Sequence, residues 1–168
     1  SSGAMIWAKV YKDFPGLPRT LIETMDGNYI VGINSIQGKG IGLCKTDTAG
    51  VVIWSKSYLR PNGVIASLIE KPNGNLIISG STDTTVQTPY SFLFITEVDS
   101  MGNTLWAKIY GDSNFQLNKF YTSSAWDYWP IKMEITLDGG LIILTTCRIQ
   151  GGNNRDIVII KTDNAGNI

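Results

Sequence analysis

The chain has 168 residues with 14 basic and 14 acidic side chains, and it contains no histidine. Without net charge, it lacks the electrostatic field that draws proteins to nucleic acid or to anionic membranes. The absence of histidine excludes Ser-His-Asp and Cys-His catalytic arrangements and removes the commonest metal ligand. Gly, Ser, Thr and Asn are frequent and helix formers are scarce, which is typical of short strands joined by tight turns.

The first four residues, Ser-Ser-Gly-Ala, are typical of a tag left by recombinant expression, so the folded chain is expected over residues 5–168. Neither the charged region nor the apolar region of a secretory signal follows them, and a native signal would have been trimmed away when the tag was added. No apolar run approaches the ~20 residues of a membrane span. Insertion into a membrane is therefore not expected.

One phrase, Trp-x-Lys-x-Tyr, occurs three times, at residues 7–11, 54–58 and 106–110. Each occurrence lies at the same point of a longer pattern, in which a Gly-containing turn precedes an apolar run and an acidic turn that closes in Gly. A fixed period of this size is typical of one supersecondary unit stacked on copies of itself. The sequence predicts a single repeat array, with repeats over 6–52, 53–104 and 105–168.

Short runs of β-branched and aromatic residues, bounded by Gly, Asn and Asp, predict four antiparallel strands in a complete repeat. In the first repeat they cover 20–24, 29–35, 41–46 and 53–58. In the second repeat they cover 65–70, 76–81, 91–97 and 105–110. Four antiparallel strands per period of about fifty residues indicate the blade of a β-propeller.

The third repeat has only three predicted strands, at 131–136, 141–147 and 156–162. The chain begins, however, with a fourth-strand phrase at 6–11 that has no repeat of its own. The two ends complement each other. Residues 7–11 are therefore predicted to pair with the strand at 156–162, within one chain or across two.

The segments DGNYIVG at 26–32, KTDTAG at 45–50 and WSKSY at 54–58 resemble the "DGGYIVAG … KTDxxGNxxWxKxY" repeats of bacterial and archaeal surface β-propellers. The resemblance covers nearly the whole chain in three copies. It implies an all-β fold of propeller blades, an extracellular or cell-surface location, and an accessory, adhesive or display role without a shared active site. The third repeat departs from the family by an insertion, and the second by a longer loop between its second and third strands.

Three blades raise the question of closure, because propellers have about four to eight. Two chains arranged as one six-bladed ring would close it, with each N-terminal strand completing a blade of the other chain in a homodimer. The alternative is a piece of a longer propeller. The end at Asn167 and Ile168, where the next Trp-x-Lys strand is due, favours that alternative.

Carboxylates recur at two places in the repeats. Asp47, Asp99 and Asp163 each precede a turn glycine by three residues, where a carboxylate accepts hydrogen bonds from turn N–H groups. A cation site is the weaker reading, because one carboxylate per turn makes a poor oxygen cage. Glutamates at the ends of the first strands would form either an acidic ring around a channel or a solvated rim; they are Glu23, Glu70 and Glu134.

The two cysteines, Cys44 and Cys147, occupy different positions in different repeats. This is unlike a disulfide framework, and both are predicted to be reduced, buried and unbonded to each other. No C-x-x-C pair, phosphate loop or calcium loop matches. Neither a metal nor a cofactor is expected.

Residues 111–128 form the insertion, and they concentrate aromatic side chains among Asn, Asp, Ser and Lys. Long loops of this kind are more often functional than idle. Aromatics beside Asn and Asp suit sugar stacking or peptide contact, while a lid over an exposed blade edge is the competing interpretation. The candidate ligand-binding residues are Phe120, Tyr121, Trp126, Asp127, Tyr128 and Trp129.

These patterns predict a non-enzymatic, extracellular binding or adhesion module that recognises a glycan or a protein through one propeller face. The competing class is a structural spacer or assembly module of a larger surface protein or particle, with the blade edges as its interfaces. An enzyme comes third, because no residues converge on a nucleophile. No catalytic residue and no nucleic-acid partner is predicted.

Overall fold

The computed structural model describes residues 3–12, 14, 16–35, 40–59, 63–83, 91–111, 115–117, 131–149 and 156–168. Across these segments the protein is all-β, with 12 strands in three antiparallel four-stranded sheets and no helix. The described segments accordingly contain no helix that is long and apolar enough to cross a membrane. The all-β, antiparallel class predicted from the sequence is confirmed.

The sheets follow one another along the chain. The first sheet contains β1 (Gly16–Glu23), β2 (Tyr29–Ser35), β3 (Gly40–Thr46) and β4 (Val52–Leu59). The second sheet contains β5 (Val64–Glu70), β6 (Leu76–Asp83), β7 (Ser91–Val98) and β8 (Thr104–Tyr110). The third sheet contains β9 (Phe115–Leu117), β10 (Lys132–Ile135), β11 (Leu141–Ile149) and β12 (Asp156–Thr162).

Six turns share one geometry. Five of them join the first strand of a sheet to the second or the third to the fourth, and the sixth, at 163–167, follows β12. In each turn the first N–H bonds the fifth carbonyl and a glycine N–H bonds the first carbonyl, as in Thr24 N to Asn28 O at 2.8 Å and Gly27 N to Thr24 O at 2.7 Å. The fourth residue of each turn has a positive φ of 73–81°, which explains the glycine at that place. The strand registers bring all six turns to one end of the sheets, the turn end. The opposite end, which carries the other connections, is the loop end.

The core lies between neighbouring sheets rather than inside any one of them. Ile30 and Leu43 of the first sheet pack against Phe94 of the second. On its other face, the second sheet packs Ile77 and Ile95 against side chains of the third. The second sheet is therefore buried on both faces, and for this reason β6 and β7 read as continuous apolar runs instead of alternating.

The first strand of the third sheet is divided into two pieces. β10 pairs with β11 up to Lys132 opposite Leu144, and β9 pairs with the same strand from Leu117 opposite Cys147 onward. In the first two sheets this place holds a single register shift, between Pro18 and Thr20 and between Ile65 and Ser67. The insertion is therefore an expansion of a β-bulge site. It lies within the first strand, whereas the sequence predicted it ahead of that strand.

The N-terminal segment does not pair with β12 in this chain. Residues 3–11 belong to no strand, and β12 pairs with β11 among the described residues. Trp7 and Tyr11 instead hydrogen-bond the turn at 47–51 of the first sheet, at the far end of the row from β12. The predicted pairing within one chain is therefore wrong, and pairing across two chains stays a prediction.

Cys44 is free and buried, as predicted. Burial raises the pKa of its thiol, so that the reactive thiolate is disfavoured. The side chain of Cys147 lies outside the described part of the structure. Cys44 thus behaves as a small apolar group of the first sheet.

Candidate functional site

The Trp-x-Lys-x-Tyr phrase is a lock between consecutive sheets. On β4, Trp54 donates its indole N–H to the carbonyl of Ser100 at 3.1 Å, and the Tyr58 hydroxyl donates to the carbonyl of Gly102 at 2.8 Å. Both acceptors lie in the turn between β7 and β8 of the next sheet. One strand is thus hydrogen-bonded into its own sheet through its backbone and into the next sheet through its side chains. We call this contact the strand–turn lock.

The lock recurs between the second and third sheets with one change. The Tyr110 hydroxyl donates to the carbonyl of Gly166 at 2.6 Å. Lys108 donates to the side-chain amide of Asn167, as Lys56 does to Asn103. The indole of Trp106, however, donates to the Glu97 carboxylate at 2.8 Å rather than to a turn carbonyl.

The N-terminal segment makes the lock a third time. Trp7 donates to the carbonyl of Thr48 at 3.0 Å, and Tyr11 donates to the carbonyl of Gly50 at 2.8 Å. At the place of Asn103 and Asn167, this turn has Val51 instead of an amide acceptor. Residues 7–11 therefore occupy the place that a fourth strand of a preceding sheet would take.

Packing explains why the turn residue at the centre of the lock is glycine. A Cβ atom at Gly102 would lie 3.1 Å from the Trp54 ring and 3.1 Å from the Tyr58 hydroxyl. A Cβ at Gly166 would lie 2.8 Å from the Trp106 ring. The three repeated tryptophans therefore each pack on the glycine of a neighbouring turn.

Electrostatics follow from the same contact. Burial and, next to it, the charge of Asp99 raise the pKa of Tyr58 to about 12. Burial and then the charge of Asp163 raise the pKa of Tyr110 to about 12 as well. Both hydroxyls therefore stay protonated and able to donate to the turn carbonyls throughout the physiological range.

The turn aspartates bond their own turns. The Asp99 carboxylate accepts from the backbone N–H of Met101 at 2.9 Å and of Asn103 at 2.8 Å. Asp47 and Asp163 make the same pair of bonds in their turns. The side-chain amide of Asn103, followed by the backbone N–H groups, holds the pKa of Asp99 below its ordinary value. The structural reading of these residues is confirmed.

In each sheet, an ion pair between a lysine and a carboxylate links the third strand to the turn between the first and second strands. In the second sheet the positions of the two charges are exchanged. In the first sheet, Lys45 on β3 binds Asp26 in the turn at 2.6 Å. The third sheet repeats this pair with Lys161 and Asp138 at 2.8 Å. Hydrogen bonds from the lysine and then from the turn threonine hold the pKa of both aspartates well below its usual range.

In the second sheet the strand carries the acid, Glu97, and the turn carries the base, Lys71, with both side chains buried. Their closest approach is 3.1 Å. Asn75 donates to the same carboxylate at 2.6 Å, and Lys71 also donates to the Asn164 side chain of the third sheet at 2.6 Å. Together with the Trp106 indole, these bonds make a network around the buried Lys71–Glu97 pair that ties the second sheet to the third.

The described residues contain no group of three or more His, Cys, Asp or Glu side chains that could hold a metal ion. Of the three glutamates considered for an acidic ring, Glu23 and Glu70 share one register position, opposite Tyr29 and Leu76. Glu134 lies one position away, opposite Ile142. Glu70 instead accepts a hydrogen bond from the backbone N–H of Met25 at 2.6 Å.

An apolar cavity of roughly 200 Å³ lies between the N-terminal segment and the outer face of the first sheet. Tyr11 and Phe14 line one side, with their rings edge to face at a centroid distance of 6.2 Å. Val31, Ile33 and Cys44 line the other side. The cavity shows that this sheet face is only partly covered.

The predicted ligand-binding residues lie outside the described residues. The loop segments at 37–39 and 84–90, which connect second and third strands, lie outside them as well. Their attachment points are described. The insertion leaves the third sheet after Leu117 and returns at Ile131, in the half of the first strand that is nearer the loop end. The partners of Leu117 and Lys132, Cys147 and Leu144, are three positions apart on β11, which corresponds to ~10 Å at ~3.3 Å per residue.

The two ends of the sheets therefore differ in kind. At the turn end, the six short turns have their glycines, aspartates and amides engaged in turn bonds and locks. At the loop end, the connections differ in length from sheet to sheet, and the insertion is attached in the half of the first strand that is nearer this end. A scan against protein-family models found no match, and a search of curated proteins found none either.

Proposed function

We propose that the chain is a β-propeller-type array that works as a non-enzymatic binding or adhesion module at the cell surface, with recognition at its loop end. The three sheets lie in a row, and the first strands of neighbouring sheets contact each other, as in blades arranged around an axis. The repeated strand–turn lock acts as the contact between blades. This arrangement supports the propeller interpretation of the three sheets.

One observation carries the functional proposal: the turn end is occupied by structural contacts, whereas the insertion is attached in the half of the first strand that is nearer the loop end. The attachment points of the insertion pair with residues of β11 that are three positions apart, and long insertions in compact domains are frequently functional. Its Trp126 and Tyr128 provide flat faces for a sugar ring or a peptide, and Asp127 provides a polar partner that orients the ligand.

The experiment compares Trp126→Ala with Leu137→Ala in a screen of immobilised glycans and peptides. Leu137 is a matched control, because it is exposed and lies in a turn of the same sheet at the opposite end. We expect Trp126→Ala to abolish binding with a nearly unchanged melting temperature, and Leu137→Ala to change neither. A large loss of stability in Trp126→Ala, with binding unaffected by milder changes such as Asp127→Asn, would assign the insertion to a structural lid instead.

A structural spacer or assembly module is the second candidate function. It is favoured by a different observation, the uncovered apolar face of the third sheet at β11 and β12. In that case the sheet edges, and not the loop end, are the functional surface. The two candidates are separable, because glycan or peptide binding and self-association are measured independently.

A further inference from the structure

The outer face of the third sheet has the side chains of an interface. Ile142, Ile157 and Ile159 are 40%, 78% and 66% exposed on this face. The strand registers place them at the positions of Ile77, Leu93 and Ile95 in the second sheet, all of which are 0% exposed because the third sheet covers them. The same three positions of the first sheet are covered by the second sheet; they are Ile30, Ile41 and Leu43.

The first sheet presents the matching face. Its outer side carries Val31, Ile33 and Cys44, together with the cavity against Tyr11 and Phe14. The corresponding faces of the second and third sheets are the ones that cover the preceding sheet; they carry Ile78, Phe94 and Val98 in the second sheet and Ile143 and Ile160 in the third. The described chain thus makes the same face-to-face contact between sheets twice. At each end of the described row, one sheet face of this kind has no partner sheet.

The strands at the two open faces are also complementary. β12 lacks a strand on its outer side among the described residues, whereas β3 and β7 each pair there with a Trp-x-Lys-x-Tyr strand. The N-terminal segment carries that phrase and is already locked to the first sheet as the fourth strand of a preceding sheet. Its Ile6 and Val10 project away from the chain, 93% and 84% exposed.

We propose that the open face of the third sheet and the outer edge of β12 bind the first sheet and the N-terminal strand of a second copy of this chain. The exchange is reciprocal, so two copies form one closed ring of six sheets with two-fold symmetry. Six sheets correspond to six blades, which lies within the usual number of blades in propellers. Because the chain has zero net charge, two copies do not repel each other through their net charges. This proposal rests on the propeller interpretation of the sheets but not on ligand binding at the loop end.

The pairing of third and fourth strands within the chain predicts the register between β12 and the N-terminal strand of the second copy. Since Lys45 faces Trp54 and Ile41 faces Tyr58, the same alignment places Lys161 opposite Trp7 of the second copy. It likewise places Val158 opposite Val10, as Phe94 is placed opposite Ile109. A shift of one residue would turn the Trp and Tyr side chains away from the turn that they bind.

The first experiment is the mass of the full chain in solution by light scattering or sedimentation, from about 1 to 100 µM. We expect twice the chain mass of 18.4 kDa, and one chain mass for the double variant Ile157→Asp, Ile159→Asp. Leu137→Asp is the control, because it places an equally exposed acid at the turn end and is expected to leave the doubled mass unchanged. A wild-type monomer at 100 µM, or a mass that keeps growing with concentration, would overturn the closed two-copy ring.

A second experiment fixes the geometry and does not depend on the stability of the aspartate variants. Val10→Cys combined with Val158→Cys should form a disulfide-linked dimer on mild oxidation, whereas Val10→Cys with Leu137→Cys should not. A bond within one chain would contradict the proposal by showing that the N-terminal segment closes on its own third sheet. Failure to form any bond, in protein that is correctly folded, would contradict the predicted register.

Discussion

Glycine and tyrosine together form the centre of each strand–turn lock, and the glycine has two separate reasons to be there. At Gly102 the backbone needs a positive φ of 77°, and the space above it is filled by Trp54 and Tyr58. At Gly74 the backbone needs a φ of 81°, but no atom lies within 4 Å of the place that a Cβ would occupy. The pair therefore separates backbone strain from packing.

We expect Gly74→Ala to lower the free energy of unfolding by about 1–2 kcal/mol, which is the cost of the left-handed conformation for a residue with a Cβ. Gly102→Ala should cost about 1–3 kcal/mol more, because the added methyl group also displaces the two aromatic side chains. Urea unfolding of the two variants measures the difference. Equal losses would mean that the rings move aside at no cost and that the lock is not tightly packed.

The lock tyrosines should make the protein sensitive to alkali. The pKa of Tyr58 and Tyr110 is raised to about 12 in the folded state, against ~10 in the unfolded state. Above pH ~10 the unfolded chain loses these protons first, so alkali favours unfolding. The stabilisation is fully present below pH ~10 and is lost as the pH rises through 12.

Absorbance of tyrosinate near 295 nm measures this directly. We expect Tyr58 and Tyr110 to ionise near pH 12 or together with unfolding. Tyr58→Phe and Tyr110→Phe should each remove one late-titrating group. Complete titration around pH 10 in protein that is still folded would contradict the buried hydrogen bonds.

Among the elements, the second sheet is the one whose polar chemistry departs from its neighbours. Its turn and third strand carry Lys71 and Glu97 where the other sheets carry a threonine on the turn and a lysine on the strand. Because Glu97 also accepts from Trp106, the reversal changes the indole partner in the next lock. One altered pair therefore affects the contact between two sheets.

Glu97→Gln should cost about 3–5 kcal/mol, because it leaves the buried Lys71 ammonium without a counter-charge. The triple variant Glu97→Lys, Lys71→Thr, Asn73→Asp rebuilds the arrangement of the first and third sheets and should recover most of the loss that Glu97→Lys causes alone. Chemical denaturation of the set provides the coupling energy. If the losses in the triple variant are simply additive, the second sheet cannot adopt the lysine and carboxylate positions of the other two sheets.

The matched control is Asp138→Asn in the third sheet. This residue belongs to the same kind of pair, but both side chains there are largely exposed to water. We expect little change in stability, since exposed ion pairs contribute little. A loss comparable to that of Glu97→Gln would mean that the pair itself, and not its burial, determines the cost.

Much of the element level could be predicted from the sequence, because it depends on local chemistry. The strand positions, the Gly-containing turns and the role of Asp99 follow from short apolar runs, backbone requirements and short-range hydrogen bonds. The charge reversal at Lys71 and Glu97 is visible in the sequence, yet it has meaning only once register brings the two residues together. β9 was missed because its three residues carry no strand pattern of their own.

At the scale of the whole molecule, the described residues form a row of sheets in which only the middle sheet is packed between two others. The predicted pairing of residues 7–11 with β12 failed within this chain, because the row is open and the lock holds that segment to the first sheet. From the sequence, complementarity between the two end segments was evident. Whether a row of three closes on itself depends on the stacking of whole sheets, which no local pattern specifies.

Hydrogen exchange should reflect this row. We expect the slowest amide exchange in β6 and β7, whose side chains are buried toward both neighbours, and the fastest strand exchange in β12. Mass spectrometry of the exchanged peptides resolves these segments. If the proposed second copy binds, protection of β12 should rise with protein concentration, whereas that of β6 should stay constant. Uniform protection across the three sheets at low concentration would contradict the open row.

The strand–turn lock also sets where this chain can be cut and joined. The backbones of β4 and β8 pair within one sheet, while their side chains bind a turn of the next sheet. Cutting the chain between two sheets would therefore separate these side chains from the turn that they bind. A transferable cassette must begin at one Trp-x-Lys-x-Tyr strand and stop before the following one, as residues 52–103 do. Duplicating that cassette would lengthen the array by one repeat while creating only junctions that the natural chain already contains.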